Sequence, residues 1–270
     1  MLPRASYGGD ANLDRGICAT ATIVNATNAC SHARMSIEAG QRAASFVLIP
    51  GAGGMAWYWH RVVPLLEKAH REAIAIDLPA DDAKAGLEDY AELVVRLIGE
   101  RTNVVLVAQS LGAFTAPLVC ARASVRSLIL VNAMIPCPGE TAGAWWDNTG
   151  AVEARVAAAR VGGYGTEFDV ATYFLHDVPK AVLATGPSEP PQQSTTAFNE
   201  PCRFERWPPI PIGVIAAADD RLFPLEFQRR VARNRLGKEV EVLPGGHLVA
   251  LSNPGALVDA LMRIDRAVDA

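Results

Sequence analysis

No uninterrupted apolar run in the 270 residues approaches the ~18 needed for a membrane-crossing helix, so no transmembrane segment is expected. Excess positive charge is also missing. The formal net charge is -4, which leaves no electrostatic footprint for nucleic acid. Cysteines are few and scattered, at positions 18, 30, 120, 137 and 202. They form no CxxC, and an odd, dispersed set fits free thiols in a reducing cytoplasm, the expected location. No histidine pair has the HExxH spacing of a metal site, and no Lys-Ser/Thr follows the glycine-rich stretch at 51–54, as a Walker loop would require. No metal, no cofactor, no nucleic acid and no membrane partner is therefore expected. Oligomeric state cannot be read from the sequence.

The stretch Asn103 to Cys120, NVVLVAQSLGAFTAPLVC, organises the rest. An apolar run of this kind suits a strand buried on both faces of a parallel sheet. It enters Ala108-Gln-Ser-Leu-Gly112, a small-x-Ser-x-small turn. Such an elbow holds the serine at a strained backbone position with Oγ lifted above the sheet, and small residues flank it because strand and helix pass close together. A serine that merely caps the next helix is the plainer alternative.

Around this stretch, strand and helix alternate. Strands are expected at Ser45–Ile49, Glu72–Asp77, Ser127–Val131, Pro211–Ala217 and Glu239–Leu243. Helices are expected at about 61–70, 86–101, 225–235 and 255–268. Residues 1–44 lack this patterning, apart from a weak strand-like stretch at 20–24. They read as a poorly ordered extension without the apolar core of a secretory leader, and Met35 is a possible natural start. From 135 to 209 the alternation breaks, with helical signals only at 151–160 and 168–174. A segment of that length inside an α/β alternation reads as an inserted cap, leaving 45–134 and 210–270 as the core.

Three residues then fall just after three expected strand ends: Ser110, Asp220 in Ala-Asp-Asp-Arg-Leu-Phe-Pro, and His247 in Pro-Gly-Gly-His. In an open parallel sheet those ends share one edge, where ligands bind. The residue types fit nucleophilic catalysis. A serine hydroxyl needs a neutral imidazole to take its proton, and the imidazole needs a carboxylate to fix its tautomer. Each also has a plain reading. His247 can be a turn residue. Asp220 can cap the following helix or pair with Arg221, and Asp219 competes for its role. The backbone amides of Ala52, in Pro-Gly-Ala-Gly-Gly, and Leu111 are the expected oxyanion donors. That glycine loop also reads as a tight turn without chemistry. His176 in the inserted segment reads as a surface or capping residue more readily than as a pocket residue, and His60 and His70 as helix-surface residues. Trp57, Trp146 and Phe174 are the expected substrate-pocket wall, with packing inside the cap as the alternative.

The stretches LIPGAGGMAWYWHRVVPLLE, AIAIDLP, VVLVAQSLGAF, LILVNAMIPCPGE, FLHDVP, DDRLFPLEFQRRVA and LPGGHLVALSNP resemble an α/β-hydrolase. The branch they resemble holds plant-type methyl esterases and hydroxynitrile lyases with their bacterial esterase relatives. The resemblance implies a mostly parallel sheet flanked by helices with an inserted helical cap. It also implies a cofactor-independent serine carboxylesterase acting on a small-molecule ester, and it assigns the carboxylate to Asp220, three residues before Phe223. Two positions depart from the pattern: Pro50-Gly51 replaces His-Gly, and Ala108 replaces Gly. Lyases of the branch carry lysine directly after the histidine and threonine in the oxyanion loop, where this chain has Leu248 and Gly51. Ester hydrolysis is therefore expected over cyanohydrin cleavage, with a non-catalytic small-molecule receptor as a third possibility. Dehalogenases and epoxide hydrolases on this fold use an aspartate nucleophile, and Ser110 argues against both.

Overall fold

In the computed structural model, which describes residues 44–188 and 191–269, six strands form one all-parallel sheet. They are β1 (Ser45–Ile49), β2 (Ala73–Ala75), β3 (Val104–Gln109), β4 (Ser127–Val131), β5 (Ile212–Ala217) and β6 (Glu241–Leu243), in the order β2-β1-β3-β4-β5-β6. The chain leaves β1 toward β2 on one side and returns to β3 on the other. That reversal opens a crevice between the β1 and β3 ends.

Both faces of the sheet are covered along its central strands β1, β3 and β4, so the interiors of these strands are continuously apolar instead of alternating with polar residues. The pleat still divides them. Val47, Ile49, Leu106, Ala108, Leu128 and Leu130 face one core cluster. Phe46, Leu48, Val105, Val107, Ile129 and Val131 face the other. Against the first face pack α2 (Leu87–Ile98), α3 (Gly112–Cys120) and, further along the chain, Leu225–Leu236. The second is covered by the 3-10 turn Ala56–Trp59, α1 (Val63–Lys68) and the C-terminal helix Pro254–Ala267.

Register aligns the C-terminal ends: Ile49 sits opposite Ala108, Gln109 opposite Val131, and Ala217 opposite Leu243. The loops that begin at Pro50, Ser110, Ala218 and Pro244 consequently leave from one edge.

Between β4 and β5 the described residues form helices only: α4 (Ala142–Thr149), α5 (Ala151–Gly162), α6 (Val170–Tyr173), α7 (Lys180–Leu183) and α8 (Thr195–Asn199). Trp145 and Tyr173 are fully buried there. Trp145 donates from Nε1 to the Ile135 carbonyl at 3.0 Å, and Tyr173 from its hydroxyl to the Gly165 carbonyl at 2.5 Å. After β5 come α9 (Leu225–Leu236), ended by Gly237 in a left-handed conformation, α10 (Val249–Ser252) and α11 (Pro254–Ala267).

Several element limits differ from the sequence expectation. The second strand is three residues, not six, because Asp77 has left the ladder to accept the Ala56 amide through Oδ1 at 2.7 Å. The helix expected over 168–174 is a single turn, capped by Asp169 accepting from the Thr172 amide. The expectations for residues 1–43 lie outside the described residues. No helix among the described residues is long and apolar enough to cross a membrane.

Candidate active site

Ser110 follows β3 directly with φ 51°, a left-handed conformation that a serine adopts only when its surroundings enforce it. They do so at both ends of the residue. Its amide donates to the Val131 carbonyl, and its own carbonyl accepts from Ala113 and Met134. Gly112 makes the tight turn possible. A β-carbon there would lie 2.5 Å from the Pro50 carbonyl oxygen, so α3 could not start this close to the end of β1 with any larger residue.

His247 Nε2 lies 3.1 Å from Ser110 Oγ, and His247 Nδ1 lies 2.8 Å from Asp220 Oδ2. Among these three, Asp220 is 4 % and Ser110 6 % exposed, and His247 is fully buried. The carboxylate is held by more than the histidine. Oδ1 accepts from the Leu222 and Phe223 amides at 2.8 and 2.9 Å, and Oδ2 accepts from Gln228 Nε2 at 3.4 Å. A carboxylate surrounded by donors only accepts, so the imidazole proton sits on Nδ1 and leaves Nε2 free to accept from the serine hydroxyl.

Asp219 points elsewhere. It is exposed, and its Oδ2 accepts from the Gly245 amide at 3.2 Å. Arg221 does not pair with Asp220; its guanidinium lies over the Tyr164 ring, 4.5 Å from the centroid. Neither the Ala52 nor the Leu111 amide has an acceptor among the described residues, and Leu111 stands at the N-terminus of α3.

The three expected pocket residues separate. Phe174 meets the imidazole edge-to-face, with ring centroids 5.0 Å apart, and Phe223 does the same at 5.1 Å. Trp146 stands behind Phe223 at 5.5 Å. Trp57 stacks on His60 and packs against Val178, Leu248 and Leu251, a cluster that Phe174 also borders. His60 Nδ1 lies 2.8 Å from the Trp57 carbonyl oxygen, and His70 is exposed past the end of α1. His176 borders a cleft of about 1000 Å³ between α5 and α9. That cleft reaches Asp220 but neither Ser110 nor His247, so it is not the space into which the hydroxyl faces.

The sequence between Phe46 and Ala260 matches the model of the Alpha/beta hydrolase family, residues 46–260. The chain belongs to the alpha/beta hydrolase family. Its relatives include Methylesterase 9 of Arabidopsis thaliana, 25 % identical over 251 residues that cover 81 % of this chain and 97 % of that one. An alpha-hydroxynitrile lyase of the same plant is 23 % identical over 252 residues, 83 % of this chain and 98 % of the other. Among solved structures, a pyrethroid hydrolase from Sphingobium faniae JZ-2 is similar with a TM-score of 0.65, at 23 % identity over 83 % of this chain and 98 % of that one.

In this alpha/beta hydrolase four further residues at the site had no role assigned from the sequence. Asn132 is fully buried at φ 44° directly after β4. Its Nδ2 donates to the His247 and Gly246 carbonyls at 2.9 and 3.2 Å, and its Oδ1 accepts from the Ala217 amide at 2.8 Å. Gln109 Nε2 adds a second donor to the His247 carbonyl at 3.3 Å. From the inserted segment, Asp177 Oδ2 accepts the Gly246 amide at 2.5 Å. Gln193 reaches the glycine loop, accepting from the Gly53 amide at 3.2 Å. Only Asn132 had a usable sign, since asparagine tolerates positive φ where a strand must turn sharply.

Proposed function

We propose that the protein is a serine carboxylesterase that hydrolyses small carboxylic esters through an acyl-enzyme and needs no cofactor. The observation that carries this reading is the continuous contact Ser110 Oγ, His247 Nε2, His247 Nδ1, Asp220 Oδ2. Ser110 Oγ attacks the ester carbonyl carbon while its proton passes to His247 Nε2. The tetrahedral oxyanion is held by the Ala52 and Leu111 amides; losing one such donor typically costs ~3 kcal/mol of transition-state stabilisation. Collapse breaks the carbon–oxygen bond to the alcohol, which leaves with the proton from His247. A water molecule then repeats the sequence on the acyl-serine and releases the acid. Asp220 stabilises the imidazolium in both halves. Residues 135–209 act as a cap whose Phe174 closes one side of the imidazole.

Three features support hydrolysis: the family, relatives named as methylesterases, and the elbow geometry of Ser110. Cyanohydrin cleavage on the same residues is the second reading, favoured by the relative named an alpha-hydroxynitrile lyase. Two positions weigh against it. Leu248, where the lyase pattern has lysine, is buried with Val178 and Leu251. Gly51, where that pattern has threonine, leaves no room: a β-carbon would come 2.9 Å from Ser110 Cβ.

The test is hydrolysis of short p-nitrophenyl esters by the full chain and by Ser110→Ala. Turnover falls by about four orders of magnitude in the variant with the fold retained. Hydrolysis that survives the substitution refutes the nucleophile. Cyanide release from mandelonitrile in place of ester cleavage favours the lyase. Failure of an organophosphonate to label Ser110, with no turnover of any ester, favours a receptor.

A further inference from the structure

The loop that carries the Ala52 amide has little of its own to hold it. Gly51-Ala-Gly-Gly54 offers one methyl group, and Ala52 is exposed. Its internal support is a bond from the Gly54 amide to the Gly51 carbonyl at 3.1 Å. Gly53 takes φ +83°, a conformation open to glycine but not selected by it. An outside group must choose one orientation of these peptide planes.

The Leu78 amide fixes the far end by donating to the Gly54 carbonyl at 2.7 Å; the outside group at the peptide that follows Ala52 is Gln193, 140 residues away in sequence. Its Oε1 accepts from the Gly53 amide at 3.2 Å. Its Nε2 donates to the Tyr90 hydroxyl at 3.1 Å and lies 3.4 Å from the Ala80 carbonyl oxygen and 3.3 Å from that of Ser194. The orientation of the amide follows from its partners, since a backbone N–H only donates and a carbonyl only accepts. Tyr90 is 2 % exposed on α2, a core helix, so Gln193 ties the loop to a rigid element. The chain on either side is tied down as well. The Ser194 amide donates to the Ala80 carbonyl at 2.6 Å, and the Thr196 hydroxyl donates to the Ala83 carbonyl at 2.6 Å. A β-carbon on Gly53 would lie 3.1 Å from the Pro191 carbonyl oxygen, which shows how closely this strap runs over the loop.

We propose that Gln193 is a positioning residue for the oxyanion loop, so that docking of the inserted segment, and not the β1 turn alone, sets the direction of the Ala52 amide. This rests on the ester-hydrolase reading above. Gln193 touches no reacting atom. It acts by holding the peptide plane that follows Ala52, and through it the donor that must meet the oxyanion. A misdirected donor weakens the transition state more than the bound ester, so the effect falls on kcat.

The experiment compares the full chain with Gln193→Ala, Gln193→Glu and Tyr90→Phe on p-nitrophenyl acetate, whose small acyl group asks little of the cap. Melting temperature and the rate of phosphonate labelling of Ser110 are measured alongside. Gln193→Ala lowers kcat by about 10- to 100-fold with KM within about three-fold, and phosphonate labelling slows in step with kcat. Gln193→Glu keeps an acceptor for the Gly53 amide and recovers kcat to within about five-fold. Tyr90→Phe removes one anchor and gives a smaller loss in the same direction. It carries the test if Gln193→Ala does not fold. A kcat for Gln193→Ala within about two-fold of the parent, or equal impairment by Ala and Glu, overturns the proposal, whatever the melting temperatures do. For the case in which only Tyr90→Phe folds, an unchanged kcat overturns it. A parent chain that neither cleaves esters nor takes up the phosphonate overturns the ester-hydrolase reading and this proposal with it, and is told apart by appearing in the unsubstituted protein.

Discussion

Asn132 holds His247 by its backbone: the Asn132 side-chain amide donates to the His247 carbonyl at 2.9 Å, while its other end accepts from the Ala217 amide on β5. One buried side chain thus fastens the histidine loop to two neighbouring strands. Asn132→Ala leaves a buried N–H and a buried carbonyl short of a partner, in a backbone conformation alanine dislikes. We expect a loss of about 2–3 kcal/mol and a melting temperature lower by roughly 4–12 °C. Turnover falls with it. A calorimetric scan within one degree or so of the parent refutes the assignment.

The two adjacent aspartates separate cleanly in the same assay. Asp220→Asn keeps the size of the side chain but offers an N–H to His247 Nδ1, which forces the wrong tautomer. Its kcat drops by about four orders of magnitude. Asp219→Asn changes only an exposed contact to Gly245 and stays within a few-fold of the parent. Equal losses in the two variants contradict the geometry.

Glu140 gives a pH signature of stability. Burial raises its pKa, but Arg235, Asn148 and the Cys137 amide outweigh that and hold it below the ordinary glutamate value. A depressed folded-state pKa contributes stability that is fully present above the unfolded-state value and is lost as pH falls through the folded-state value. Breaking the pair in Glu140→Gln costs about 1–3 kcal/mol near neutral pH, a figure reduced for its partial solvation. Urea titrations should show the gap between parent and variant shrinking as pH drops below the usual glutamate range. A gap that widens there is the contrary result.

The three described cysteines differ in reactivity. Cys137 is exposed, whereas burial pushes the Cys120 and Cys202 thiols up to about 12. Cys202 Sγ also lies 3.0 Å from the Phe114 carbonyl oxygen. Iodoacetamide at mildly alkaline pH should modify Cys137 at least about a hundred-fold faster than the other two in the folded protein. Peptide mass spectrometry of timed samples reads the order directly, and early labelling of Cys202 contradicts it.

Much of this was legible in the sequence for one physical reason. A parallel strand buried on both faces carries an unbroken apolar run, so Ser45–Ile49 and Ser127–Val131, each a serine followed by four apolar residues, could be read to the residue. Chemistry-bearing residues at strand ends then fell together because parallel strands end on one edge. Edge strands were less legible: β2 and β6 are each three residues, with only one neighbour to hold them. The helices α4, α7 and α8 were missed, being short and set by packing inside the inserted segment more than by periodicity. The pocket aromatics were the least legible. Nothing in the sequence distinguishes Phe174, whose ring meets that of His247, from Trp57, which packs against the same Val178–Leu248–Leu251 cluster but stacks on His60.

β1 and β3 are hydrogen-bonded neighbours, and Gly112 lets α3 begin against the Pro50 carbonyl. The approach of the Ser110 turn to the start of the glycine loop is therefore set by two adjacent strands of the sheet, which lie about 4.8 Å apart. If the ester-hydrolase proposal holds, segment swaps at 135–209 alter which esters gain entry while the β1–β3 junction stays in place, provided the replacement still brings an amide oxygen to Gly53.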